Sequence, residues 1–347
     1  MKYLSGHLAG FRDWFAYGVI LFGMLGLPGL APAQALRSQT IALETGWNAV
    51  YLEVDPPVSD PSSLFAGTPV GVVASHVSAN RGAQFVLNPA ADLLSSYGWS
   101  IWYAPERPDA FLTTLHSIYG GKPYLMFSAT NVTLEISGST VPERVSWTPD
   151  AYNFVGFSVS QPGAPTFDQF FGGSQALHHN KIYRLVNGTW RQTLKPAEES
   201  MRSGEAFWIY CDGRTDYTGP LQVSTRPVSG VNLSSHGGSV ITFRNHTAYP
   251  LAFFVEHLTD PASPIPISTP MRVLDQETGE MATRSVHFDA GYFRQEFPAL
   301  EAGMAISWPL SLRLQDAGPG ERYSLLKVTT EMGTITYIPV TASRDDL

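Results

Sequence analysis

The sequence is poor in cysteine. Its 347 residues include one, Cys211, so the chain cannot form an internal disulfide. Cys211 follows the apolar run 206–210, where a small buried side chain is a simpler interpretation than a reactive thiol. A small scaffold held together by disulfides is therefore excluded, and each folded part must depend on its own apolar core.

Charged residues are also scarce, at 15% of the chain, and acidic residues outnumber basic ones by 30 to 22. The sequence contains no basic run. Because the phosphates of nucleic acids need clustered cations, this balance excludes nucleic acid as a partner. Aromatic residues are frequent instead, at 12%, beside 31 glycines and 26 prolines. This composition predicts a mainly β protein with many turns.

Motifs of common catalytic sites are missing as well. The chain has no Gly-x-Ser-x-Gly elbow, no phosphate-binding glycine loop and no His-Glu-x-x-His zinc motif. The sequence therefore predicts no catalytic residue, no cofactor and no metal site. These absences favour a protein without enzymatic activity, although they leave an unfamiliar active site open.

A long uncharged apolar run occurs at the N-terminus. Residues 14–30 carry no charge, follow Lys2 and Arg12, and precede small residues suited to cleavage, which is the pattern of an export signal. We predict that residues 1–35 are a cleaved signal peptide and that the protein reaches the periplasm, the outer surface or the medium. A retained anchor is the alternative, although the run is short for a spanning helix of about 20 residues.

The rest of the chain begins with an internal repeat. Residues 46–54, GWNAVYLEV, return as residues 151–159, AYNFVGFSV, and each run opens with an aromatic residue and an asparagine. With Asn48 aligned on Asn153, Phe65 falls on Phe170 at the same offset. We therefore predict two related β-modules, residues 36–140 and 141–226. The repeat positions are Trp47, Asn48, Phe65, Asn153, Phe170 and Trp208.

Further segments match in the same order. Residues 101–103 resemble residues 182–184, and residues 121–127 resemble residues 204–210. Each copy is expected to close on a similar strand, at residues 134–137 and 221–224. Upstream of the aromatic-Asn pair, the second copy has one additional residue.

The aromatic-Asn-x-Val opening, the Phe-x-Gly step and the closing strand Gly-x-Ala-Phe-Trp-Ile-Tyr resemble small "GWN"-type β-modules, which occur, often in tandem, in secreted bacterial proteins of unassigned function. The resemblance covers roughly residues 40–226. The first copy departs from the pattern at Ala49 and Tyr51, and its closing strand reads Lys-Pro-Tyr. The resemblance implies a β fold and a setting outside the cytoplasm, and it carries over no catalytic residue.

Local signals predict details within the modules. Asn48 lies on the inward face of its strand, so we expect its amide to bind the backbone of a neighbouring turn. Asp60 followed by Pro61 predicts the start of a short helix, with Phe65 reaching into the core. The dipeptide at residues 187–188, Asn-Gly, predicts a type I′ hairpin.

From residue 227 onward the pattern changes to six or seven short strands in about 120 residues. Alternating apolar residues and glycine-containing turns at this spacing predict an immunoglobulin-like β-sandwich for residues 227–347.

Two functional hypotheses remain. The first is an exported, non-enzymatic β-modular protein that works by binding or in envelope or surface assembly, with another envelope protein or a polysaccharide as its partner and no membrane contact beyond an uncleaved signal. The alternative is a carbohydrate-binding or carbohydrate-active protein. Its sugar platform would consist of exposed aromatic side chains, and burial of these residues in small cores is the competing interpretation. The platform candidates are Trp99, Trp102, Tyr103 and Trp190.

Overall fold

The structure is a computed structural model. It describes residues 36–77, 92–94, 98–142, 145–178, 181–234, 238–259, 265–274, 279–288 and 294–344. The predicted signal segment, residues 1–35, lies outside the described residues. Within the described ranges, no helix combines the length and apolar character needed to cross a membrane.

The first part of the chain forms two antiparallel sheets. Its strands are β1 (Leu36–Leu43), β2 (Gly46–Leu52), β3 (Val54–Asp55), β4 (Val70–His76), β5 (Trp99–Tyr103), β6 (Lys122–Ser128) and β7 (Val132–Thr140). Helix α1 (Pro61–Leu64) follows β3, and a 3-10 helix (Ala110–Leu112) follows β5. One sheet has the order β1-β7-β3 and the other β2-β6-β4-β5. Phe65, Leu52 and Ile118 belong to the core between them.

The second part forms one antiparallel sheet. Its elements are β8 (Ala151–Gly156), helix α2 (Phe167–Phe171), β9 (Ile182–Val186), β10 (Thr189–Gln192) and β11 (Ala206–Cys211). The strand order is β10-β9-β11-β8. Asn187 and Gly188 both have positive φ, at 50° and 72°, which confirms the predicted type I′ turn between β9 and β10.

The four-stranded sheets of the two parts have the same topology. Numbered along the chain within each sheet, both follow the order first, fourth, second, third, because β2-β6-β4-β5 corresponds to β8-β11-β9-β10. In each part a short helix precedes the second strand. Two related β-modules would share such an order, and the repeat itself stays a prediction.

Two details of the sequence comparison were wrong. Counted along the chain, residues 101–103 lie on the third strand of their sheet (β5), whereas residues 182–184 lie on the second strand of theirs (β9). The expected closing strand of the second copy, residues 221–224, pairs instead with a strand of the C-terminal sandwich. Its counterpart at residues 134–137 pairs with β1 in the first part.

The repeated asparagine has the same role in both copies. Asn48 Nδ2 donates to the carbonyl of Glu44 at 2.8 Å, and its Oδ1 accepts from the amide of the same residue at 2.9 Å. Asn153 makes the same two bonds with Thr148, at 3.1 and 2.8 Å. Each asparagine also donates to the carbonyl two residues before it. The predicted hydrogen bonding of the asparagine amide to the backbone of a neighbouring turn is confirmed. The additional residue in the second copy makes its turn one residue longer.

Each repeated phenylalanine lies at or near the end of a short helix whose N-terminus is capped by a polar side chain. Asp60 Oδ2 accepts from the amide of Ser63 at 2.9 Å, so Asp60 is the predicted N-cap of α1. Thr166 caps α2 in the same way, with a capping box to Gln169. Phe65 and Phe170 are both buried. Counted from the caps, however, Phe65 lies at the position of Phe171, since the second copy has one more residue before its helix.

The C-terminal part is a sandwich of two five-stranded sheets, counted among the described strands. Its strands are β12 (Leu221–Ser224), β13 (Val231–Ser234), β14 (Ser239–Asn245), β15 (Leu251–Thr259), β16 (Ile267–Leu274), β17 (Met281–Phe288), β18 (Arg294–Leu300), β19 (Ala305–Leu312), β20 (Gly320–Thr330) and β21 (Ile335–Arg344). The sheet orders are β12-β14-β19-β16-β17 and β13-β21-β20-β15-β18. Strands from both sheets contribute to one core around Phe243, Phe253 and Trp308.

The strand order makes this sandwich immunoglobulin-like. Read as strands A to G, β12-β14-β19-β16 gives the sheet A-B-E-D and β21-β20-β15 gives G-F-C. The additional strands β13, β17 and β18 extend these sheets at their edges. The predicted sandwich is confirmed, and β12 lies in it.

Candidate functional site

Aromatic side chains fill the seam between the two modules. There the sheet β2-β6-β4-β5 packs against the sheet β8-β11-β9-β10. Trp99 lies 6.3 Å from Trp208 and 5.9 Å from Phe154, both measured between ring centroids. The cluster consists of Trp47, Ala49, Ala74, Leu93, Leu94, Trp99, Ile101 and Leu125 from the first module and Tyr152, Phe154, Tyr183, Leu185, Trp190, Trp208 and Tyr210 from the second.

The predicted sugar platform does not exist as a surface. Trp102 is 3% exposed, packs on Phe65 at 5.7 Å and donates its indole N–H to Ser62 at 3.1 Å. Trp190 is 2% exposed and lies 6.2 Å from Trp208 across its own sheet. Trp102 belongs to the core of the first module, whereas Trp190 belongs to the seam.

The two remaining platform candidates are also separated. Trp99 is half-buried in the seam, and Tyr103 lies half-buried at the other end of the same strand, with the Arg107 guanidinium 5.7 Å from its ring. The platform prediction was therefore wrong for this group of residues. Trp102 is buried in the core of a small module, as the competing interpretation expected, whereas Trp190 is buried at the seam between the two modules.

Backbone contacts bring the modules very close at one point of the seam. The amide of Tyr51 donates to the carbonyl of Gly204 at 2.8 Å, and Val50 forms a β-bridge with Glu205. A Cβ atom on Gly156 would lie 2.3 Å from the Cβ of Tyr51. The seam is thus a packed interface in which one glycine admits a neighbouring side chain.

The substitution Gly156→Ala tests this close approach. The new methyl group cannot fit without moving Tyr51, and overpacking of this kind costs about 1–3 kcal/mol. We expect a lower unfolding midpoint, measured by circular dichroism. The control is Gly71→Ala on β4, where the nearest atom to a new Cβ would be 3.8 Å away. Equal midpoints for both variants would show that the seam accommodates the new methyl group without a loss of stability.

A buried ion pair supports the second module beside the seam. Arg184 Nε donates to Glu205 Oε1 at 2.9 Å, and Glu199 approaches the same guanidinium at 3.7 Å. The Arg184 side chain is nearly buried and lies over the ring of Phe167. Sequence reasoning missed this pair, because the two residues lie on different elements with no characteristic spacing.

A cleft of about 260 Å³ opens along the seam. Residues from both modules line it, including hydroxyl groups, an imidazole and one ammonium group. Among its lining residues that the structure describes, Lys122 carries the only charged side chain. The polar lining side chains are Ser75, His76, Lys122, Ser146, Thr148, Tyr51, Tyr152 and Asn153.

His76 connects the cleft to the aromatic cluster. Its imidazole lies 4.9 Å from Trp99 and 4.9 Å from Trp208, in edge-to-face contact with both rings. Burial lowers the pKa of His76 from 6.5 to about 4, so the ring is neutral at pH 7. Burial also raises the pKa of the Tyr152 hydroxyl, with a smaller contribution from Tyr183. Sequence reasoning missed His76, whose one signal is its place at the end of an apolar strand.

These groups can hold a ligand by hydrogen bonds. No carboxylate is found among the described residues that line the cleft, and His76 is held neutral between two indoles. Over the described ranges, no group of three or more His, Cys, Asp or Glu side chains could hold a metal ion. Cys211 is buried as predicted, and burial raises the pKa of its thiol.

Comparison with known proteins finds no family and only weak similarity to solved structures. No protein-family model matches the chain, and no curated protein matches it. Among solved structures, the Salmonella enterica SafA pilin in complex with the SafB chaperone is 12% identical, with a TM-score of 0.24, over 36% of this chain and 54% of that one. The periplasmic chaperone SfaE is 9% identical, with a TM-score of 0.22, over 37% and 58%.

A third structure, the C-terminal domain of the Streptococcus agalactiae AgI/II polypeptide BspA, is 10% identical with a TM-score of 0.18, over 89% of this chain and 83% of that one. The chain thus spans little more than half of the pilin and chaperone structures. TM-scores this low support no transfer of function.

Proposed function

We propose that this is an exported, non-enzymatic β-modular protein that works by binding in the cell envelope or at its surface, and that the seam cleft is its binding site. The observation that carries the proposal is the cleft itself. Side chains of both modules line it with hydrogen-bonding groups, and Lys122 is the only charged side chain among its described lining residues.

The rest of the proposal follows from the sequence. Export is proposed from the apolar run that follows Lys2 and Arg12. The division into residues 36–140, 141–226 and 227–347 is proposed from the repeat and from the change of pattern after it, with β12 assigned to the third part. Membership of the "GWN"-type modules remains part of the proposal. The aromatic seam supports a structural role for the two modules, because it holds both walls of the cleft in place.

A cleft-blocking variant tests the binding site. Ser146 is exposed and lines the cleft, so Ser146→Trp should fill it without disturbing a core. Monosaccharides, amino acids and dipeptides are screened by ligand-observed NMR. We expect at least one compound to bind the wild type and to lose about tenfold or more in affinity with Ser146→Trp, because the new indole occupies its place.

The matched control is Ser307→Trp, on the exposed outer face of β19. It should bind as the wild type does. Unchanged binding by Ser146→Trp, or no binder in the screen, would contradict the cleft as the site. Conversion of a bound compound to product by the wild type would contradict the absence of enzymatic activity.

A further inference from the structure

The seam cleft runs along an edge of the second module's sheet. Among the described strands, β8 ends the order β10-β9-β11-β8, so one side of its backbone has no neighbouring strand in that sheet. Five consecutive residues of β8, 152–156, line the cleft. Because the side chains of a strand alternate between the two faces of its sheet, a cavity on one face would be lined by every second residue. The cleft therefore follows the backbone edge of β8.

The outer edge of β8 carries the backbone groups of its even-numbered residues. On β11, the amide of Tyr210 donates to the carbonyl of the residue before β9 at 3.1 Å, so the backbone groups of the adjacent Ile209 point to the other side, towards β8. Ile209 lies opposite Asn153, and the two form a hydrogen-bonded pair. By alternation, the N–H and C=O groups of Phe154 and Gly156 point away from β11. In the part of the chain that the structure describes, no backbone group bonds to them.

The same edge already pairs with an extended segment just beyond β8. Val159 forms an antiparallel bridge with Thr334 of the sandwich. The amide of Ser160 donates across this bridge at 2.8 Å, and the amide of Ile335 donates back across it at 3.0 Å. The pairing consists of this one bridge, and from Ile335 onwards β21 pairs with β20 in the sandwich. Along the cleft, the outer edge of β8 thus continues an edge that elsewhere binds an antiparallel segment.

The spacing of these backbone groups indicates the chemistry of the occupant. Outward N–H and C=O groups recur at every second residue of a strand, at intervals of about 6.6 Å. An extended peptide has the same repeat, so its own N–H and C=O groups can bond to each of them in turn, whereas the hydroxyl groups of a monosaccharide form no such ladder. The first module adds the polar side chains of Ser75 and His76 to the lining, and the second adds Ser146 and Thr148. A peptide with polar side chains therefore fits the cleft.

We propose that the seam cleft takes up an extended peptide segment of a partner protein, which adds as an antiparallel strand to the outer edge of β8. This inference rests on the proposed function and narrows the ligand of the cleft to a peptide. Main-chain bonds to Phe154 and Gly156 supply the affinity, and the polar side chains of the lining select among peptide side chains. The antiparallel direction follows from the bridge between Val159 and Thr334, which lies on the same edge.

A backbone substitution tests the strand addition. The probe is a fluorescent eight-residue peptide that alternates threonine with serine, because threonine favours an extended backbone and the hydroxyl groups match the polar lining. Its fluorescence anisotropy reports binding. Replacing Phe154 by phenyllactate keeps the ring and exchanges the outward N–H for an ester oxygen. We expect this variant to bind the probe about fivefold more weakly, because one hydrogen bond is lost. The matched control is the same replacement at Phe111, which is 82% exposed and does not line the cleft, and it should bind as the wild type does.

The cleft-filling variant Ser146→Trp should abolish binding of the probe, and thermal unfolding confirms that each variant is folded. The inference is overturned if the probe does not bind the wild type, or if the phenyllactate variant at position 154 binds it as tightly as the wild type does. In the second case, loss of binding in Ser146→Trp would still leave the cleft as the binding site, so the two proposals fail separately.

Other occupants of the cleft would give different results. A monosaccharide that binds the wild type but not Ser146→Trp, while the peptide binds neither, would overturn the inference and leave the cleft as a binding site. Self-association of the wild type that Ser146→Trp abolishes would identify a second copy as the occupant and would also overturn the inference. Binding of the probe that Ser146→Trp leaves unchanged would contradict both proposals, because the peptide would then bind elsewhere.

Discussion

Phe170→Ala should unfold the second module at much lower denaturant concentration than the wild type requires. The Phe170 ring is 2% exposed and packs on Phe157 at 4.6 Å and on Phe171 at 4.9 Å, and its backbone carbonyl accepts a bond from Tyr217. Removing a buried phenylalanine ring costs about 3–5 kcal/mol, because both the transfer energy and the new cavity count against the folded state. In a module of this size that is a large share of the total stability.

Denaturation followed by tryptophan fluorescence and by limited proteolysis near residues 225–226 measures the effect. We expect the C-terminal sandwich, which has a separate core, to keep its own transition. The control is Phe111→Ala, since the Phe111 side chain is 82% exposed and its loss should change stability by less than about 0.5 kcal/mol. Equal losses in the two variants would contradict the assignment of Phe170 to the core.

Acidification should destabilise the protein through His76. The pKa of His76 is about 4 in the folded state and 6.5 when the ring is free in water, so the unfolded chain binds a proton first. The contribution of the neutral imidazole is complete above pH 6.5, falls as the pH drops from 6.5 to 4, and is constant below 4. A difference of this size corresponds to about 3 kcal/mol at most, because the ring is only partly shielded from water.

The contribution is isolated by comparing variants across this pH range. The substitution His76→Gln should remove that part of the pH dependence, although other groups continue to titrate. The matched control is His116→Gln, because the His116 side chain is exposed and lies outside the aromatic cluster. Free energies of unfolding from urea titrations at pH 7, 5.5 and 4 measure the difference. The same slope in His76→Gln and the wild type would rule out burial of the neutral ring at the seam.

Features whose interaction partners lie only a few residues away along the chain could be predicted from the sequence. Three such features depend only on neighbouring backbone groups, so the residue types alone predicted them. They are the turn-binding amides of Asn48 and Asn153, the N-cap at Asp60 and the type I′ turn at Asn187. The β class and the sandwich followed from alternation and turn spacing. The tandem repeat was predicted from recurrence, and the two four-stranded sheets share one strand order.

Tertiary structure decided which sheet each strand joins and what each aromatic face meets. A strand with large rings on one face looks the same whether that face meets solvent, its own core or another module, so Trp102 and Trp190 could not be assigned from sequence. Residues 221–224 resemble a closing strand but pair with β14, since ladder bonds are made by backbone groups common to all residues. The contact of His76 with Trp208 likewise joins residues that lie far apart along the chain.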